Sequence, residues 1–237
     1  MNRTVPGGLV WRIFAENGAG EGEKPLATST DASPSFRLDP GSYIVHVGYG
    51  LAGAVRRIHV GQRETNERFT IAAGALKLSG AIGQAPAPAQ LMNFTIYAPL
   101  PNNSEGRLVA QNVKTGDVVR LPEGAYHVVS AYGDTNSIMR ADLKVDSGKV
   151  TEATMNHRAA TVTLKLVTNP GGEALAGTAF SVLTPGGDVI REAIGAFPSL
   201  ILAEGEYICI ARHQGKVYQR PFKVESGLDR DIEVLAR

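Results

Sequence analysis

The sequence predicts an all-β chain built as three tandem immunoglobulin-like antiparallel β-sandwich domains. First, a Gly-x-Tyr unit with a leucine five residues ahead of the tyrosine occurs three times, as Leu38-Asp-Pro-Gly41-Ser-Tyr43, Leu121-Pro-Glu-Gly124-Ala-Tyr126 and Leu202-Ala-Glu-Gly205-Glu-Tyr207. The tyrosines lie roughly 80 residues apart, a period too long for a solenoid unit and suited to a small β-domain. Second, each tyrosine opens a period-two pattern, with Val45, Val47 and Tyr49, Val128, Ser130 and Tyr132, and Cys209, Ala211 and His213 on one face. Third, β-branched residues and glycines recur too often for a helix, and capped apolar stripes at 3.6-residue spacing are missing.

The elements follow in chain order from these copies, which divide the chain into domains at 1–73, 74–157 and 158–237. The second and third copies open with the strand-like runs Gly74-Ala-Leu-Lys-Leu-Ser79 and Thr161-Val-Thr-Leu-Lys-Leu-Val167, ahead of Asn93–Tyr97 and Ala179–Leu183. The first copy has no such opening and starts at once with Leu9–Phe14, where Trp11 falls opposite Phe94 and Phe180. The first domain is therefore expected to lack its first strand, with a trimmed N-terminus and a secretion signal and the strand lying upstream. After each tyrosine strand comes a hairpin partner with inward pairs Ile58 and Val60, Leu143 and Val145, Phe222 and Val224, stopped by Gly61, Gly148 and Gly227. Closing strands are expected at Glu67–Ile71, Val150–Met155 and Asp231–Leu235.

The Gly-x-Tyr unit has a physical reason. A tyrosine at the start of a core-facing strand buries its ring while its hydroxyl bonds back to the backbone of the preceding corner, and a glycine two residues earlier permits a tight turn. Gly41, Tyr43, Gly124, Tyr126, Gly205 and Tyr207 are thus read as structural corners, not as catalytic groups.

Charge and motif content exclude several function classes. Lys and Arg number 24 against 23 Asp and Glu, with no basic cluster beyond pairs such as Arg56-Arg57, so nucleic acid and anionic lipid are not expected partners. No run of about 18 apolar residues is present, so no membrane-spanning helix is expected, and Met1–Pro6 does not read as a signal peptide. Cys209 is the single cysteine, opposite Val45 and Val128, and reads as a packed core residue. His46, His59, His127, His157 and His213 lack zinc-site spacing, so no metal is expected. Asp134-Thr-Asn-Ser137 starts like a calcium loop but lacks its later glycine and glutamate, and reads as a solvated turn. Gly171-Gly172 and Gly186-Gly187 follow prolines and read as turns, with no phosphate loop; no nucleophile elbow, zinc-protease motif or cofactor fingerprint occurs.

The string Pro122-Glu123-Gly124-Ala125, followed by Tyr126 and an alternating strand, resembles the PEGA domain. The other copies, Asp-Pro-Gly-Ser and Ala-Glu-Gly-Glu, share only its shape, and all three copies are similar to the broader carboxypeptidase regulatory-like and transthyretin-like sandwiches. The resemblance implies accessory, interaction or spacer modules of bacterial envelope proteins. It places the chain in the periplasm or at the cell surface, with a protein or cell-envelope polymer as partner.

Short joins at Ala72–Gly74 and Asn156–Ala159 imply neighbouring domains held end to end with little freedom. Ala85–Ala89 and Ala98–Ser104 are insertions peculiar to the second copy, which makes Pro86, Pro88, Pro99, Asn102 and Asn103 the candidate interaction loops. The expected function is a non-enzymatic structural or protein-interaction spacer. The alternative is a carbohydrate- or peptidoglycan-binding protein, which needs exposed aromatic platforms; beyond Trp11, Tyr49 and Tyr132, only Tyr97 and Tyr218 offer them.

Overall fold

The computed structural model describes residues 4–16, 24–101 and 103–237, with residues 103–105 as backbone alone. The chain is all-β, with a short 3-10 turn at Ala89–Leu91. It forms two compact units, one of residues 1–77, 117–126 and 143–153, the other of residues 78–116, 127–142 and 154–237.

Four strands belong to the first copy: β1 (Leu9–Ala15), β2 (Ala27–Ser29), β3 (Gly41–Tyr49) and β4 (Ala52–Val60). They make one antiparallel sheet in the order β2-β1-β3-β4. In β3 the residues Tyr43, Val45 and Val47 alternate with half-buried neighbours, which is the period-two signature of a sheet with one covered face. Ile13, Tyr43 and Val45 form its core, with Trp11, Phe36, Leu38, Ile58 and Phe69 packed against them.

The expected closing strand at Glu67–Ile71 is not a strand. Its counterparts in the later copies each lie in a sheet beside an opening strand, and no such strand of the first copy occurs among the described residues, so the segment joins no ladder there. Phe69 instead packs edge-on against Trp11, ring centroids 5.3 Å apart, with the Arg56 guanidinium 4.4 Å from its ring centre.

The second copy contributes β5 (Ala73–Ile82), β6 (Ala85–Pro86), β7 (Met92–Leu100), β8 (Asn103–Val113), β9 (Val118–Pro122), β10 (Gly124–Tyr132), β11 (Ile138–Val145) and β12 (Val150–His157). One sheet runs β12-β5-β6 with β9 also paired to β5; the other runs β11-β10-β7-β8. Leu76, Leu78 and Leu121 of the first and Phe94, Ile96 and Val128 of the second are completely buried. Close approach of the sheets uses Gly80, where a Cβ would come within 2.4 Å of the Met92 side chain.

The third copy is the most regular. Its strands are β13 (Ala159–Val167), β14 (Thr178–Leu183), β15 (Val189–Gly195), β16 (Ser199–Ala203), β17 (Gly205–His213), β18 (Lys216–Val224) and β19 (Arg230–Leu235). Sheets β16-β13-β19 and β15-β14-β17-β18 enclose a single core. Val162, Leu164 and Leu166 from one sheet face Phe180, Val182 and Cys209 from the other. β13 is antiparallel to β16 and parallel to β19.

Candidate functional site

Two features recur from copy to copy and position everything else: the tyrosine corners and the joints between successive copies. Tyr43 donates its hydroxyl to the Asp39 carbonyl, Tyr126 to Pro122 and Tyr207 to Ala203, each at 2.8 Å. In every case the acceptor lies four residues earlier, so the phenol closes the corner while its ring is buried. Gly41, Gly124 and Gly205 lie against the ring of their own corner tyrosine, where an added Cβ would meet it at 3.7 to 3.9 Å.

At the first joint the β3–β4 hairpin meets β9. The Leu51 amide donates to the Arg120 carbonyl at 3.0 Å, and the Arg120 guanidinium sits 4.8 Å from the Tyr49 ring centre. Gly50 has φ +64°, and a Cβ on it would lie 2.6 Å from the Arg120 Cβ. The second joint uses the equivalent residues of the next copies. Gly133, with φ +74°, follows Tyr132 as Gly50 follows Tyr49, and its Cβ would come within 2.9 Å of Ile201, the residue before Leu202 as Arg120 precedes Leu121. Only glycine combines that backbone conformation with that proximity.

The β10–β11 connection, residues 133–137, is a clasp rather than the solvated turn its sequence suggests. Asp134 pairs with Arg191 at 2.6 Å, and the Thr135 hydroxyl donates to the Ile201 carbonyl. Asn136 accepts from the Ala203 amide at 3.0 Å and donates to the Tyr207 hydroxyl at 2.8 Å, so it holds the third corner directly. Turn composition signals polarity, and here those polar groups are spent on the next copy instead of water. Between β12 and β13 stands one residue, Arg158, whose guanidinium bonds both carboxylate oxygens of Glu204 at 2.8 and 2.9 Å. The Arg158 carbonyl also accepts from the Glu204 amide, as Ala72 accepts from Glu123 in the preceding copy.

Behind this clasp lies a buried polar cluster. His157, fully buried, bonds through Nε2 to the Ser130 hydroxyl at 2.8 Å and through Nδ1 to the Ser137 hydroxyl at 2.9 Å. Burial holds its pKa below the ordinary histidine value. A neutral ring donates from one nitrogen and accepts at the other, and rotating hydroxyls satisfy both. Ser130 and Ser137 are themselves buried, and neither ring nitrogen is bonded to a carboxylate, so this pair lacks the orienting acid and the open side of a serine nucleophile. The neighbouring cleft, about 430 Å³, is lined by Met139, Arg158, Glu204 and Lys223 among others.

The remaining histidines are dispersed: His127 pairs with Asp142 at 2.8 Å, His59 with Ser42 at 3.3 Å and His213 with Thr178 at 3.2 Å, while His46 packs against Phe14. No group of three or more His, Cys, Asp or Glu side chains able to hold a metal occurs among the described residues. Cys209 is fully buried in the third core, and burial pushes its thiol up to about 12.

The second-copy insertions are more ordered than loops. Pro86 lies in β6, and Pro88 precedes the 3-10 turn; both are exposed, while Ala87 between them is buried with its amide bonded to the Gly80 carbonyl at 3.0 Å. Pro99 is exposed within β7, which pairs with β8 beyond the last residue paired to β10, making a two-stranded ribbon. Asn103 opens β8, and Asn102 lies outside the described residues. Tyr97 and Tyr218 are half-buried rather than exposed platforms, and Tyr218 packs on the third core.

Residues 161–236 match the family model described as the Rhizobiales growth-associated tandem repeat domain. That span runs from within β13 to the residue after β19. No curated protein is significantly similar to the chain. Among solved structures, the Bacillus anthracis TIE protein aligns over 98% of this chain at 17% identity and a TM-score of 0.31. The chain spans about half of that protein, 48%. A minor pilin of Streptococcus agalactiae aligns over 68% of this chain and 95% of its own, at 13% identity and a TM-score of 0.35. The shaft pilin spaA of Lactobacillus rhamnosus GG aligns over 69% and 97%, at 12% identity and a TM-score of 0.34. No activity or partner passes from these proteins to the chain. No helix among the described residues is long and apolar enough to cross a membrane.

Proposed function

We propose that the chain is a non-enzymatic structural and protein-interaction element of a bacterial cell envelope, its three sandwich modules, residues 1–73, 74–157 and 158–237, serving as a spacer. The observation that carries this reading is the recurrence of one joint. Gly50 against Arg120 and Gly133 against Ile201 are equivalent positions with equivalent backbone conformation. A spacer needs successive units held at a defined spacing, and a glycine that lets a neighbouring residue pack against it contributes to that without a linker. The fate of the reactive side chains supports the same reading: the thiol, the buried serines and the histidines serve packing or local hydrogen bonds.

Envelope placement rests on the resemblance of the Pro122–Ala125 string to modules found there. The test is fractionation of cells producing the tagged native protein, combined with crosslinking and a peptidoglycan pulldown. Recovery in the envelope fraction with crosslinks to protein is expected. Recovery with cytosolic markers would sink the reading, and retention on peptidoglycan alone would replace the spacer with a polymer-binding role.

A further inference from the structure

We propose that the outer face of the β15-β14-β17-β18 sheet is a contact between two copies of this chain, which pack it face to face about a two-fold axis. The inference goes beyond the spacer reading and does not rest on it.

The register of this sheet fixes which side chains share its outer face. Phe180, Val182, Cys209 and Ala211 belong to the third core, so the residues that alternate with them along β14 and β17 point the other way. Leu183 is paired with Ile208, and Ile208 with Pro221; in the next row Ser181 is paired with Ile210. Ile194 and Val217 stand at the two sides, 80% and 63% exposed. Leu183, Ile208, Ile210, Ile194 and Val217 are all outside the module's core cluster. They form an aliphatic strip across the sheet.

The solvent side of an antiparallel sheet is ordinarily polar. The module's other sheet follows that rule, since on its outer side Thr163 bonds Ser199 at 3.0 Å and Lys165 pairs with Asp231. The earlier copies follow it at the equivalent positions. Ile208, Ile210 and Pro221 correspond to Ile44, His46 and Arg57 in the first copy and to His127, Val129 and Asp142 in the second, where His127 and Asp142 are bonded at 2.8 Å. Each earlier copy interrupts the strip with a histidine and a charge, and the third does not.

Charge selects the occupant. Arg212 donates to the buried Ser181 hydroxyl at 3.1 Å, and that hydroxyl donates to Glu192 at 3.2 Å, so an exposed guanidinium and an exposed carboxylate flank the strip, joined only through a hydroxyl. One charge of each sign gives the face no net charge, which favours neither an acidic nor a basic partner. None of these side chains is aromatic, so a sugar ring finds no platform. A second copy of the same face meets both conditions. A two-fold axis lying in the interface between Glu192 and Arg212 sets each carboxylate over the partner's guanidinium, twice, and lays one aliphatic strip on the other. Face-to-face packing of sheets is the arrangement the module already uses for its own core.

The test is sedimentation velocity on the whole chain over a concentration series, and a reversible monomer–dimer equilibrium is expected. Ile194→Lys alters a residue that is 80% exposed and outside the core, so it should leave the circular dichroism spectrum unchanged and weaken dimerisation about tenfold or more. Glu192→Arg alone and Arg212→Glu alone should each give a monomer, because like charges then meet at both ends of the contact. Mixing these two variants should restore a dimer with one chain of each, and combining both substitutions in one chain should restore a homodimer; a fault in folding produces neither rescue. A monomer at every concentration overturns the proposal. So does a dimer that keeps its affinity through Ile194→Lys and both charge reversals, or the failure of both rescues.

Discussion

The two joints use one glycine device but differ in what surrounds it. At the first, Gly50 and Leu51 rest on Arg120 with one backbone hydrogen bond and a cation over Tyr49. At the second, Gly133 rests on Ile201, and the following residues add Asn136 on Ala203 and Tyr207, Asp134 on Arg191 and the paired Arg158–Glu204 contact. The shared glycine leaves room for the neighbouring residue, the Arg120 backbone and Cβ at the first joint and the Ile201 side chain at the second, and the added polar groups fix the second. The loop length explains the difference: β3 and β4 are joined by a two-residue turn, whereas residues 133–137 give β10 and β11 enough chain to reach the next corner.

The largest expected effects come from the glycines. Gly133→Val places a β-branched residue at φ +74° and drives its Cβ into Ile201. A left-handed backbone costs about 1–2 kcal/mol and overpacking about 1–3 more, so urea unfolding should show a loss of about 3 kcal/mol. Gly50→Ala should lose about 2 kcal/mol for the same two reasons. A neutral result at either position would break the equivalence of the joints. Asn136→Ala should cost about 2 kcal/mol by removing two hydrogen bonds and stranding the Ala203 amide.

The corners give a finer contrast. Tyr43→Phe removes one hydrogen bond and should cost about 1 kcal/mol, whereas Tyr207→Phe also strands Asn136 and should cost nearer 2 kcal/mol. A double-mutant cycle between Asn136→Ala and Tyr207→Phe should show coupling, since the two share a bond; additivity would separate clasp from corner.

The smallest effect is with pH. Burial depresses His157, so the unfolded chain takes up the proton at a higher pH than the folded one. Its contribution is complete above the unfolded value of about 6.5 and is lost as pH falls through the folded value. The melting temperature should therefore decline below about pH 6.5, and His157→Gln should flatten that decline while leaving other acid-sensitive groups unaltered.

The repeating corners were legible because the glycine, the tyrosine and the leucine ahead of it keep fixed spacing; the tyrosine hydroxyl closes each corner, whereas Gly41, Gly124 and Gly205 lie at ordinary contact distance from its ring. The joints were signalled too, by Tyr49-Gly50 and Tyr132-Gly133, but a glycine after a strand looks like any turn until its neighbour is known. His213-Gln214 breaks the pattern in the third copy; Gln214 itself takes φ 49°, a conformation that composition alone does not announce. Residues 134–137 were misread because nothing local tells whether polar groups face water or the next copy. Glu67–Ile71 shows the converse: its alternation is genuine, but a strand exists only with a partner to bond.

The single residue between β12 and β13 leaves no slack for tension to draw out. Pulled along the chain, this stretch has no spring-like tether to lengthen, so extension must come from strands tearing free of their sheets. Load on this join is borne by the strand pairing on either side of it and by the Arg158–Glu204 contact.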